Sequence, residues 1–210
     1  MEDRLEDRLR GLDIPLGSAQ VGQLVKLDDL LDEWSEAVDL SGFRDGEERF
    51  HRYLAEPLDA LRWLPAGNGA ALDIGSGGGS PALPLAVARP GDQWTLLEPN
   101  GRRAVFLEEA LSILGLEGSQ VVRRRWEDFV PDGPFLTITS RGVALPASSL
   151  STLAHWLAPA GRLLLFTGQE RSEELVRWGA DIPTLHLKAQ IALGPQLKAW
   201  LVVFDGSGTT

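Results

Sequence analysis

The sequence predicts a doubly wound α/β fold, a mostly parallel sheet with an antiparallel edge strand, behind an N-terminal helical cap. Three observations predict it. From Ala70 onward, short apolar runs of strand length alternate with amphipathic runs of helix length, the pattern of a parallel sheet covered on both faces. The first of those runs ends in an acid and a glycine-rich loop, AALDIGSGGGSP, from Ala70 to Pro81. The first 65 residues carry helical periodicity and no strand-like run. The expected organisation is therefore a cap over 1–65, an α/β domain over 66–205 and a short tail over 206–210.

In the cap, Leu5, Leu9 and Leu12 mark one face of a short helix, and Ser18 can cap a second that runs to about Val38. Trp34 on that second helix is read as core packing. Asp39 to Asp45 reads as a loop, and a third helix spans about Glu47 to Trp63, stopped by Pro65 and the Gly67-Asn68-Gly69 linker. Strands are then predicted at 70–74, 94–98, 120–124, 135–139 and 162–167, with helices at about 80–88, 102–114, 149–157 and 170–178. Pro81 and Pro84 suit only the first turn of the first of these helices. Two last strands, near 186–192 and 198–204, have no helix between them, which makes them a hairpin.

Composition narrows the function. Of the net charge of −10, residues 1–65 carry 8 basic and 16 acidic side chains, so most of the acidity belongs to the cap. Such a chain does not bind naked nucleic acid indiscriminately, because phosphate attraction drives that binding. Local basic clusters remain at Arg102-Arg103 and Arg123-Arg124-Arg125. The chain has no cysteine, which excludes disulfides, thiolate metal sites and a cysteine nucleophile. His51, His155 and His186 are scattered without metal-ligand spacing, so no metal is expected. Ser140 lacks the surroundings of a nucleophile elbow. No apolar run approaches the roughly 18 residues of a membrane helix, and the charged N-terminus is unlike a signal peptide. A cytoplasmic protein with no membrane partner is expected.

The glycine loop carries the chemistry. Glycines let a backbone turn sharply and let a ligand approach the main chain, and ligands of open α/β sheets bind at the carboxyl ends of the strands. Asp73 precedes Gly75, Gly77 and Gly79 in the pattern D-x-G-x-G-x-G, with Ser76 and Ser80 between and after them. A dinucleotide fingerprint needs a glycine at 80, where this chain has serine. The acid ahead of the glycines would also repel a pyrophosphate. A cofactor with a positive centre and no phosphate suits it better, and S-adenosylmethionine is such a cofactor. Glu98, 25 residues after Asp73 at the end of the next strand, can accept both hydroxyls of a ribose. Trp126 and Glu127, just past the third strand, lie where an adenine would be read. The combination resembles the Class I methyltransferases, whose fold is Rossmann-like.

A closer resemblance extends from about Leu31 to Phe166. The stretches ALDIGSGGGSPALPLAVARPGDQWTLLEPNGRRAVFLEEA, RWEDF and TSRGVA resemble the RsmG (GidB) family, the bacterial small-subunit rRNA guanine-N7 methyltransferases. The resemblance implies S-adenosylmethionine as cofactor and ribosomal RNA or the small-subunit ribosomal particle as partner. By position it implies cofactor contacts from Gly75, Gly77, Gly79, Ser80, Glu98, Trp126, Glu127 and Arg141, to which Asp73 and Ser76 are added from the loop itself. Arg141 is the candidate that links cofactor and base. Arg102, Arg103, Arg123 and Arg125 are the candidates for RNA phosphate contact, and a solvated surface is their competing reading.

The chain departs from the family on the substrate side. The family's R-H-x-x-D-S segment reads RYLAEP here, so Tyr53, Glu56 and Pro57 replace histidine, aspartate and serine. Thr167 stands in FTG where the family has the lysine of L-K-G, and N-L-T reads DLS at Asp39, Leu40 and Ser41. These changes remove groups expected near the RNA or the target base. Guanine N7 methylation is the activity the resemblance implies; a Class I methyltransferase with another acceptor and a non-catalytic cofactor-binding module are its alternatives.

Overall fold

The computed structural model describes residues 2–35, 38, 40, 46–194 and 199–207. Of the residues read above, Asp39, Ser41, Lys198 and most of the 39–45 loop lie outside the described set. Seven strands form one sheet in the order β3-β2-β1-β4-β5-β7-β6. They are Ala70–Ile74 (β1), Gln93–Leu97 (β2), Gln120–Val122 (β3), Phe135–Arg141 (β4), Leu157–Thr167 (β5), Leu185–Leu193 (β6) and Ala199–Gly206 (β7). The first five are mutually parallel. β7 runs antiparallel to both β5 and β6, so the terminal hairpin makes the antiparallel edge, with β7 on its inner side.

The central strands read as continuous apolar runs because both faces of the sheet are covered. Alternate residues go to opposite sides. In β5, Leu164 and Phe166 face the cap while Leu163 and Leu165 face away from it. On the cap side the sheet meets Ala82–Ala88 (α5), Gly101–Ile113 (α6) and the cap in one apolar cluster that runs from Leu9 to Val203. On the other side lie Ser149–Trp156 (α7) and Gln169–Ala180 (α8). β5 starts five residues earlier than expected, because Leu157 pairs with Phe135 ahead of a register shift in β4.

The cap begins with Glu2–Arg10 (α1) and Ser18–Ser35 (α2). Trp34 packs edge-on against Phe106 at 5.8 Å, as core packing requires. The third cap helix is continuous over 46–63 but changes register three times. It is α-helical over Gly46–Arg49 (α3), π-helical over Phe50–Ala55, α-helical over Glu56–Asp59 (α4) and 3₁₀ over Ala60–Trp63. Proline at 57 explains part of this, since it can donate no helical hydrogen bond. Single π turns are uncommon and cluster at functional sites. This one lies against the glycine loop.

Candidate active site

Strand parity builds the site. Asp73 on β1 and Thr139 on β4 are register partners on the cap-facing side of the sheet, and the Thr139 hydroxyl donates to Asp73 Oδ1 at 2.6 Å. Two residues further along β4, Arg141 falls on the same side. It is the last residue of the strand, two residues longer than the sequence suggests.

Beyond β1 the chain turns through Gly75 to Ser80. Gly75 has φ +68, and a Cβ there would lie 2.4 Å from Val143 Cγ2. A Cβ on Gly78 would lie 2.3 Å from the Leu40 carbonyl oxygen, so the loop passes under the cap with no room for a side chain. A Cβ on Gly77, by contrast, would meet nothing closer than the Gly75 oxygen at 3.8 Å. Main chain is thus exposed to a cleft of about 500 Å³ at the carboxyl ends of the strands.

Glu98 crosses from the end of β2 to hold this loop. It is 4% exposed, and its carboxylate accepts the Gly77 N–H and the Asn100 N–H, each at 2.8 Å. A carboxylate has about four acceptor sites, so each oxygen retains capacity for a ribose hydroxyl. Asn100 caps α6 by accepting from the N–H groups of Arg102 and Arg103.

The structure brings Gly75, Ser76, Gly77, Ser80, Glu98, Trp126, Glu127 and Arg141 to the walls of the cleft. Trp126 is half-buried and Glu127 exposed, both on the 3₁₀ turn Trp126–Asp128. Gly79 instead faces α5 and Tyr53, where a Cβ would meet Leu83 at 2.3 Å. Asp73 lies beneath the loop, 1% exposed, and its Oδ2 has no hydrogen-bond partner. Burial pushes its carboxyl up to about 6, against the hydrogen bond from Thr139, which lowers it. Of the arginines, Arg103 and Arg125 reach the cleft and Arg124 joins them. Arg102 is exposed on α6, and Arg123 packs over Gly101.

Sequence reasoning missed the cap's share. Tyr53 is buried, and its hydroxyl donates to the Gly78 carbonyl. Ser80 Oγ donates to the Tyr53 carbonyl at 3.1 Å. Glu56, 5% exposed, pairs with Arg141 Nη2, while Arg141 Nη1 donates to the Arg52 carbonyl and to Ser80 Oγ at 3.2 Å. The guanidinium lies 5.1 Å over the Phe166 ring. Burial raises the Glu56 pKa and lowers that of Arg141, and each partner opposes the shift of the other. Tyr53, which together with Arg52 also lines the cleft, and Glu56 are thus buried contacts to the glycine loop and to Arg141. A second cavity of about 240 Å³ adjoins the cleft at Arg141, Gly142 and Val143, and Thr167 and Arg171 lie on its far side.

Residues 20–193 match the family described as GidB, rRNA small subunit methyltransferase G. The chain belongs to that family. It is 37% identical over 185 residues to the ribosomal RNA small subunit methyltransferase G of Halorhodospira halophila, covering 88% of this chain and 85% of that one. The protein of the same name from Marinobacter nauticus is 35% identical over 176 residues, covering 82% and 79%. Among solved structures, a SAM-dependent methyltransferase from Aquifex aeolicus superposes with a TM-score of 0.64 at 14% identity, covering 80% of this chain and 96% of that one. An rRNA methylase from Streptococcus thermophilus gives 0.56 at 15%, covering 71% and 93%. At such identities these two likenesses speak for the Class I methyltransferase fold.

The residues present fit S-adenosylmethionine. A buried carboxylate oxygen without a donor favours a cationic ligand, and the open main chain over Gly77 gives it a floor. No helix among the described residues is long and apolar enough to cross a membrane, and they contain no cluster of potential metal ligands.

Proposed function

We propose that this protein uses S-adenosylmethionine to methylate N7 of a guanine in small-subunit ribosomal RNA. The observation that carries the reading is the unpartnered Asp73 oxygen buried beneath an open glycine loop, in a chain of the GidB family. When bound, S-adenosylmethionine supplies a methyl group on a positively charged sulfur, which leaves as a neutral thioether.

The residues of the chain bind and orient. Gly75 to Ser80 form the floor, Glu98 accepts ribose hydroxyls while holding the loop, and Trp126 with Glu127 flanks the adenine. Asp73 contributes negative field from below, where low dielectric strengthens it. Guanine N7 has an exposed lone pair, so no base must remove a proton. Catalysis rests on holding that nitrogen in line with the methyl group. Arg141, between the cleft and its neighbouring cavity, orients the two partners. Arg103, Arg124 and Arg125 at the mouth neutralise RNA phosphates, and Arg102 and Arg123 extend that basic surface. The acceptor is presented by ribosomal RNA or by the small-subunit particle in the cytoplasm, and the acidic cap faces away from the phosphates.

The test is methylation of small subunits from a strain lacking this gene, with labelled S-adenosylmethionine and nucleoside analysis of the product. Label in 7-methylguanosine is expected; label in any other nucleoside, or none, refutes the assignment.

A further inference from the structure

Glu56 and Pro57 line neither the cofactor cleft nor the cavity beside it. Arg141 lines both; Ser80 Oγ and the Phe166 ring touch it, and the cap holds both of its terminal nitrogens. In the π-helical register the N–H of residue i+5 serves the carbonyl of residue i, and the Glu56 N–H indeed reaches the His51 oxygen. The next carbonyl, that of Arg52, would need an N–H from residue 57. Proline has none. The Arg52 carbonyl accepts from Arg141 Nη1 instead, while Glu56 takes Nη2. Both ends of the guanidinium fork, which is rigid and planar, are thus held by one turn of the cap helix.

We propose that Glu56 and Pro57 are positioning residues for Arg141, so that cofactor affinity depends on two cap residues that line neither cavity. This rests on the reading of the cleft as the S-adenosylmethionine site. Without Glu56 the guanidinium is a buried cation lacking its counter-charge, which is costly. It then turns toward the open cleft, where it opposes a cationic ligand.

A plain staple between cap and sheet would use the same contacts, and a mutant cycle separates the two. S-adenosylmethionine is titrated calorimetrically into the full chain and into E56Q, E56D, R141Q, P57S and the E56Q/R141Q double variant. E56Q and R141Q are each expected to weaken binding about tenfold or more. The double variant should bind within twofold of R141Q, and E56D should recover to within threefold of the parent. P57S restores an N–H that competes for the Arg52 or Tyr53 carbonyl, and should cost about threefold with cooperative thermal unfolding retained. Binding by E56Q equal to the parent overturns the proposal, as does a loss that adds to that of R141Q. If E56Q does not fold, P57S decides, and unchanged affinity there overturns it. If the parent binds the cofactor but forms no 7-methylguanosine, the acceptor assignment falls while these titrations still decide the role of Glu56.

Discussion

The glycine loop and the cap helix that lies on it border the same cleft by opposite means. The loop works by what is missing: without a Cβ, Gly75 can pass Val143 and Gly78 can slide under the Leu40 carbonyl. The cap helix works by what is present, a phenol, a carboxylate and a carbonyl released by Pro57. A site made of main chain accepts one residue type at each close approach. A site made of side-chain pairs can change both partners together.

The largest effect is expected at Asp73, which lies beneath the loop and is bonded to β4 rather than to the cap. Asp73→Asn keeps the shape and the Thr139 contact but removes the charge. S-adenosylmethionine affinity measured by calorimetry should fall by a hundredfold or more. Stability should move the other way. A carboxyl with its pKa raised by burial favours the fold fully below its ordinary value of 3.8, and that contribution is lost as pH rises through about 6. At pH 7 the asparagine variant should therefore be more stable, by about 1–3 kcal/mol in urea unfolding. The parent's cofactor affinity should decline as pH falls through 6, when Asp73 protonates. If D73N binds the cofactor normally, charge is not what the loop contributes.

Much of this was legible in the sequence, for physical reasons that also mark where legibility ends. The strands and helices of the sheet follow from local periodicity, and Asp73, the glycines and Glu98 are spaced along one β-α-β unit whose geometry is nearly fixed. Arg141 could be named, but not its company. Glu56 lies 85 positions earlier, and no periodicity links a cap helix to the end of β4. The helix itself looked regular from Glu47 to Trp63, because hydrophobic spacing does not distinguish an α turn from a single π turn. Which of Arg123, Arg124 and Arg125 points at the cleft is not legible either, since an exposed turn after β3 has no period to tell them apart.

The contact between the two regions is tested by Gly78→Ala. Its new Cβ would lie 2.3 Å from the Leu40 oxygen and 2.7 Å from the carbonyl carbon, both main-chain atoms that cannot swing aside. Either the loop sinks or the cap lifts. Strain of this kind typically costs 1–3 kcal/mol, so the urea midpoint should fall accordingly. Cofactor affinity should drop about tenfold, because the floor over Gly77 moves with the loop. Loss of stability with unchanged affinity would show that the cap yields and the loop does not.

Tyr53→Phe should give the smallest effect and the sharpest one. The ring keeps its buried place, so packing is preserved, and only the hydroxyl donated to the Gly78 carbonyl is lost. Burial raises the Tyr53 pKa, so the phenol stays neutral and acts as a donor throughout the working range. Removing one partner of a buried hydrogen bond leaves the other unsatisfied, at about 1–3 kcal/mol. Part of that cost is recovered if Gly78 shifts toward water in the cleft. The phenylalanine variant should thus lose about 1–2 kcal/mol in urea unfolding, with S-adenosylmethionine binding within threefold of the parent. Since the bond joins loop to cap without touching Arg141, a tenfold loss of affinity in this variant would mean that the cap steadies the whole loop, and not chiefly the arginine.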